Sequence, residues 1–171
     1  FPVLLFAALS STGVLAKEVN LAVTLSKLDA VRTAEKRGDE LYVSVTEYNS
    51  SASPVNYRIP EYPLHWLSKG PKEITDVLLW ANTFKEGEGA SVIFSLIEQD
   101  TPPWDLDDLI GTIKLKVRNE KGKLKREWVI PHQAGHQVIP ENQDSFVLKG
   151  NNVEYYMVLK LEEKKDKADF I

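Results

Sequence analysis

Apolar and polar residues trade places at every second position in five separate stretches of this chain, and that period constrains the fold more than any other feature. Val19, Leu21, Val23 and Leu25 alternate with Asn20, Ala22, Thr24 and Ser26. The same period returns at Leu41, Val43 and Val45, at Val92, Phe94 and Leu96, at Ile113, Leu115 and Val117, and at Tyr155, Met157, Leu159 and Leu161. Side chains of a strand point alternately to its two faces, so each stretch turns one apolar row inward and one polar row to solvent. No helical period of similar length competes. Six or more strands at irregular spacing, separated by turn clusters, predict an all-β fold, an antiparallel β-sandwich with its binding loops at one end.

The intervening segments carry their own signals. Asn49 to Ser53 is a polar break, and Pro54, Pro60 and Pro63 then forbid a regular central strand, so the stretch with Tyr57, Tyr62 and Trp66 reads as an ordered connection or edge segment. Pro71 to Trp80 suits either a short helix opened by Pro71 or a buried strand from Val77 to Trp80. Gly87, Glu88 and Gly89 read as a hairpin turn, and Arg126 to Gln143, with Pro131, Gly135 and Pro140, as a loop-rich connection.

A chain of 171 residues suffices for one domain with a proper core, and 43% apolar against 27% charged residues is ordinary for a globular protein. A formal net charge of -4 argues against a nucleic-acid partner, which needs a basic face. Residues 1–16 form an apolar run ending in Val14, Leu15 and Ala16, the pattern of a secretory signal whose start is missing. Without cysteine, disulfides and thiolate chemistry are excluded, and export then points to a periplasmic or secreted bacterial setting. The expected boundaries are 1–16 for the signal, 17–162 for the sandwich and 163–171 for a charged tail.

Chemistry concentrates between the third and fourth alternating stretches. Glu98, Asp100, Asp105, Asp107 and Asp108 stand there with no basic residue among them. Carboxylates so close repel one another, and either a cation or open solvent relieves them. Calcium suits the first case, because it accepts about six to eight oxygens in flexible geometry.

Two further motifs accompany this loop in a fixed order. Leu21 to Leu28 is followed by Gly38-Asp39-Glu40-Leu41-Tyr42-Val43-Ser44-Val45, then comes Leu79-Trp80-Ala81-Asn82-Thr83-Phe84, then Ser95-Leu96-Ile97-Glu98-Gln99-Asp100 with Asp108-Leu109-Ile110-Gly111. In that order they resemble C2 domains, β-sandwiches that bind phospholipid surfaces and often hold calcium in end loops. The resemblance covers roughly Val19 to Val117, with Val153 to Leu161 as the final strand. It implies calcium-facing positions at Asp39, Glu98, Asp100 and Asp108, with Asp105 and Asp107 as additional acidic loop residues. The first loop departs from the family, since Arg32, Lys36 and Arg37 stand where an aspartate is usual. A lysine or arginine is therefore an alternative counter-charge to the metal.

Trp104 sits in the same loop behind Pro102 and Pro103, where an indole suits a lipid interface, a partner pocket or a lid on the core. Lys114 and Lys116 share a face of the next strand and begin a basic stripe that suits anionic head groups or an acidic partner, or simply guards an edge hairpin. His132 and His136 have helical spacing, yet Pro131 and Gly135 oppose a helix there. Neither a nucleophile elbow nor a phosphate loop occurs. The sequence thus predicts an exported C2-like binding module, calcium-dependent at a phospholipid membrane surface. A metal-independent protein-interaction domain is the alternative, and a small carboxylate-based hydrolase the next.

Overall fold

Each of the five alternating stretches becomes a strand, and its apolar row becomes core. The computed structural model describes residues 17–100, 105–131, 137–139 and 144–165. The expected signal, Trp104 and the two closely spaced histidines lie outside them. The strands are β1 (Val19–Arg32), β2 (Glu40–Asn49), β3 (Val55–Ile59), β4 (Trp66–Leu67), β5 (Val77–Phe84), β6 (Gly89–Glu98), β7 (Asp108–Glu120), β8 (Lys123–Ile130), β9 (Gln137–Ile139), β10 (Ser145–Lys149) and β11 (Glu154–Lys164). They form a 4-stranded sheet in the order β10-β11-β1-β5 and a 7-stranded sheet in the order β3-β2-β6-β7-β8-β9, with β4 also on β2. All ladders are antiparallel and there is no helix among the described residues, so the chain is an all-β sandwich.

Leu21, Val23 and Leu25 of β1 face Val43, Val45, Phe94, Leu96 and Leu115 across the interior, all fully buried. Burying side chains of this size contributes roughly 1.5–3 kcal/mol each, before the entropy of ordering them. An aromatic column ties the sheets together: the Trp128 ring lies 6.3 Å from Phe94 beside it and 5.5 Å from Phe146 of the opposite sheet. Tyr57 Oη on β3 donates to the Leu79 carbonyl on β5 at 2.6 Å, and Glu47 on β2 accepts from Trp80 Nε1 and Asn82 Nδ2 at 2.5 and 2.7 Å. These contacts cover the outer edge of β5 with polar partners from the other sheet.

Several sequence expectations need correction. Arg126 to Ile130 is not loop but the second half of β8, with Trp128 at the centre of the core. Its inner row, Leu124, Arg126, Trp128 and Ile130, is broken by a cation at the flared end, which hid the period. Gly87 to Gly89 is not a hairpin: β5 and β6 belong to different sheets, and the turn carries the chain between them. From Val77 to Phe84 the chain is strand, so the helical option opened by Pro71 falls away. β11 continues to Lys164, paired with Asn20, past the boundary expected at 162.

One buried polar residue fastens the end of the sandwich at the β7–β8 hairpin. Lys121 and Gly122 both have positive φ, 53° and 76°, the geometry of a two-residue turn that favours glycine at its second position. Asn119 before it is wholly buried. Its Nδ2 donates to the carbonyls of Lys17 and Phe84 at 2.9 Å each, and its Oδ1 accepts from the Gly122 amide at 2.9 Å. Its own backbone exchanges bonds with Gly87 and Glu88 in the crossing turn. Asn119→Ala should therefore cost about 2–4 kcal/mol in urea unfolding, because buried carbonyls and an amide lose their partners together. Asn119→Asp should do no better, since it keeps the acceptor and turns a carboxylate toward two carbonyls.

Candidate functional site

The opposite end of the sandwich gathers the loop that joins β1 to β2, the loop that joins β6 to β7, and the start of β11. Asp39, just before β2, is 1% exposed. A buried carboxylate is tolerated only when its lone pairs are satisfied. Here Oδ1 accepts the Glu35 amide at 3.0 Å and Oδ2 the Ala34 amide at 3.3 Å, so the side chain closes the turn that leads into its own strand. The Tyr155 hydroxyl on β11 also donates to Oδ2, a bond from one sheet to the other. Backbone bonds fix the same residue: the Asp39 amide donates to Ser68 Oγ at 2.8 Å, and the Ser68 amide to the Asp39 carbonyl at 3.0 Å. Gly38 has φ 97°, and a Cβ there would come within 2.9 Å of the Lys69 side chain, so a glycine is required where the loop presses against residues 68 and 69. Burial and the neighbouring Asp39 carboxylate push the Tyr155 hydroxyl well above the ordinary tyrosine range.

Glu98, at the end of β6, is 8% exposed and lies beside Asp39. Burial, then the charges of Asp39 and Asp100, push its carboxyl up to about 7. Glu98 therefore keeps its proton into the neutral range, which spares the buried carboxyls the repulsion of two charges.

Asp107 closes the next loop as Asp39 closes the first. Its Oδ1 accepts the Asp100 amide at 3.0 Å and its Oδ2 the Tyr42 hydroxyl at 2.7 Å. Burial, followed by the bond to Asp107, raises Tyr42 to about 12. Arg58 on β3 lies 3.6 Å over the Tyr42 ring and donates to Gln99 Oε1 at 2.9 Å and to the Leu64 carbonyl at 2.7 Å. Sequence reasoning missed Arg58, because nothing in the local pattern of β3 places it beside a loop forty residues away. Partial burial, then Asp105, Asp108, Asp107 and Glu35, raise the Asp100 carboxyl.

The expected site residues thus divide. Asp39 and Glu98 form one buried pair, while Asp100, Asp105, Asp107 and Asp108 form an outer group on one loop. Lys114 and Lys116 belong to neither: they lie on the outer face of the 7-stranded sheet, Lys114 beside Val129 and Lys116 3.9 Å from Glu127. The counter-charge expected of the first loop is engaged elsewhere in one case, since Arg32 Nε donates to the Asn152 carbonyl at 3.1 Å. Among the described residues the ion pairs lie away from these acids. At Asp39, where the resemblance implies a calcium-facing position, two backbone amides and the Tyr155 hydroxyl occupy the carboxylate oxygens. Among the described residues no group of three or more acidic or histidine side chains stands close enough to hold a metal ion.

Large apolar side chains are exposed on the acidic loop and on the segment that Arg58 ties to Gln99. Tyr62 is 70% exposed, Leu64 65%, Leu106 83% and Leu109 60%. The bonds from Arg58 to Leu64 and Gln99 hold the segment with Tyr62 and Leu64 against the acidic loop. This end therefore presents apolar surface set among carboxylates. The chain matches no family model and no curated protein.

The raised Glu98 carboxyl has a definite consequence for stability. The folded protein binds its proton up to about 7, whereas an ordinary glutamate releases it near 4.5. Between those values the native state holds more protons than the unfolded chain, so the contribution is complete below 4.5 and disappears as pH rises through 7. The raised Asp100 acts in the same direction. The melting midpoint should accordingly fall from pH 5 to pH 8, by about 2–4 °C for each kcal/mol lost. Glu98→Gln, which cannot ionise, should flatten that slope and melt above the wild type at pH 8. A parallel slope in both proteins would count against the raised Glu98 carboxyl.

Proposed function

We propose that the protein is a binding module, and that its acidic end docks a cationic, amphipathic segment of a protein partner without a metal. The observation that carries this reading is the exposure of Tyr62, Leu64, Leu106 and Leu109 beside Asp100, Asp105 and Asp108. An apolar patch of this kind marks contact surfaces, and the surrounding charge selects the sign of what it meets. The buried Asp39–Glu98 pair serves as the support that fixes both loops. The expected signal over residues 1–16 supports an exported setting.

A second reading keeps the C2-like order of motifs and places the same end on a phospholipid surface. Anionic lipid would meet carboxylates that take part in none of the ion pairs of the described residues, so this reading needs calcium, with Asp100 and Asp108 to bind it. The mutual repulsion around Asp100 is the observation in its favour, since a cation would relieve it.

Titration with a short peptide of alternating lysine and leucine separates the two. The wild type should bind it in the presence of chelator, more weakly as salt rises, and Asp105→Lys with Asp108→Lys should weaken binding by about tenfold or more. Millimolar calcium should leave the melting midpoint unchanged. A calcium-dependent rise that Asp100→Asn with Asp108→Asn abolishes would instead establish the lipid reading, through the linkage of ion binding to stability.

A further inference from the structure

The other end of the large sheet carries a feature that the acidic loops do not explain. A groove of about 670 Å³ crosses its outer face, with Tyr48, Gly89, Ser91, Lys116, Arg118 and Lys125 among its lining residues. The strand register builds it row by row. Tyr48 pairs with Ser91, Ser91 with Lys116 and Lys116 with Glu127; in the next row Gly89 pairs with Arg118 and Arg118 with Lys125. Ser91 and Gly89 are small and form a floor along β6. Tyr48, half exposed, stands on one side, and Lys116 and Arg118 stand on the other.

The charge of this groove is unbalanced. Three outer-face cations, Lys116, Arg118 and Lys125, line it against Glu120 and Glu127. Lys125 holds Glu120 at 2.7 Å, whereas Lys116 and Arg118 reach their acids only at 3.9 and 4.0 Å. Those two cations, 50% and 63% exposed, have attraction to spare.

The complementary surface is on the same chain. The loop at Asp105, Leu106, Asp107 and Asp108 is exposed throughout, with an apolar tip between acids. It cannot reach its own groove, because β7 extends from Asp108 through Lys116, about 26 Å at the usual strand rise. We propose that the 105–108 loop of one copy docks in the Tyr48–Lys116–Arg118 groove of a second copy, Leu106 against Tyr48 and the acids against the cations. This names the partner of the acidic end and rests on the docking role assigned to it above. The contact joins two different surfaces, so it closes where two copies dock reciprocally about a two-fold axis and propagates head to tail where they do not. Each pair is weakly held and the net charge of -4 opposes approach at long range, so the association is reversible and salt-sensitive.

Sedimentation velocity on the 171-residue chain tests this with two charge-reversed variants. The wild type should sediment faster as concentration rises at low ionic strength, with its association constant falling about tenfold or more when salt is raised to ~0.5 M. Lys116→Glu with Arg118→Glu, and Asp105→Lys with Asp108→Lys, should each remain monomeric alone, since each then opposes like charges. Mixed in equal amounts they should associate again, because each supplies the complement of the other; unchanged melting midpoints verify that both variants fold. A monomeric wild type at low salt, a variant that associates like the wild type, or a mixture that stays monomeric would each overturn the proposal. The lysine-leucine peptide keeps the two readings apart: if it binds the wild type while the wild type stays monomeric, docking at the acidic end stands and self-docking falls.

Discussion

The hydrogen bond from Tyr155 to Asp39 is the interaction on which the acidic end depends. It joins β11 of one sheet to the residue that opens β2 of the other, in a place that water does not reach. A carboxylate taken out of water is destabilising by several kcal/mol unless donors replace its hydration. Two loop amides and the tyrosine hydroxyl are those donors, and in satisfying Asp39 they also fix the turn from Thr33 to Gly38. The shape of the loop end is thus a consequence of desolvating a single acid. The outer acids can stay crowded because the backbone beneath them is anchored, by Asp39 in one loop and by Asp107 in the next.

Asn119 plays the corresponding part at the other end, and the two clamps are chemically opposite. Asn119 is neutral, and its bonds to Lys17, Phe84 and Gly122 do not change with pH. Glu98 beside Asp39 titrates near neutrality, so the stability of its end of the sandwich responds to pH in that range. Between them the Phe94–Trp128–Phe146 column holds the sheets face to face without polar help. Packing of that kind sets the overall stability, while the clamps set where the loops stand.

How much of this was legible in the sequence follows from the range of each force. Alternation is local, so β1, β2, β6, β7 and β11 and their buried rows could be read directly, and the all-β sandwich with them. Where a strand carries a charge on its inner row, as Arg126 does in β8, the period is masked although the strand forms. Gly87 and Gly89 announce a turn, but whether a turn joins neighbours in one sheet or crosses to the other depends on partners far along the chain. The acids were legible as a group and illegible as individuals. Nothing near Asp39 in sequence says that Tyr155 will meet it, and that meeting separates an anchoring carboxylate from one that faces solvent. Arg58 is the same case in reverse, a lone cation on an edge strand that the fold carries to Tyr42 and Gln99.

The distribution of charge along β7 is the last consequence of the architecture. A strand is stiff and extended, so Asp108 at its start and Lys116 and Arg118 near its end cannot approach one another within one molecule. Local pairing relieves little of the imbalance: Glu120 is held by Lys125, Glu127 sits at the limit of an ion pair with Lys116, and the ion pairs of the described residues leave the acidic loop aside. Each end therefore keeps a field that water and salt screen but do not cancel. Folding has separated opposite charges that the chain carries in near balance, 21 basic residues against 25 acidic. A sandwich whose strands run from an acidic end to a basic groove carries both signs of charge on separate surfaces, and that is the complementarity on which the proposed docking of a second copy rests.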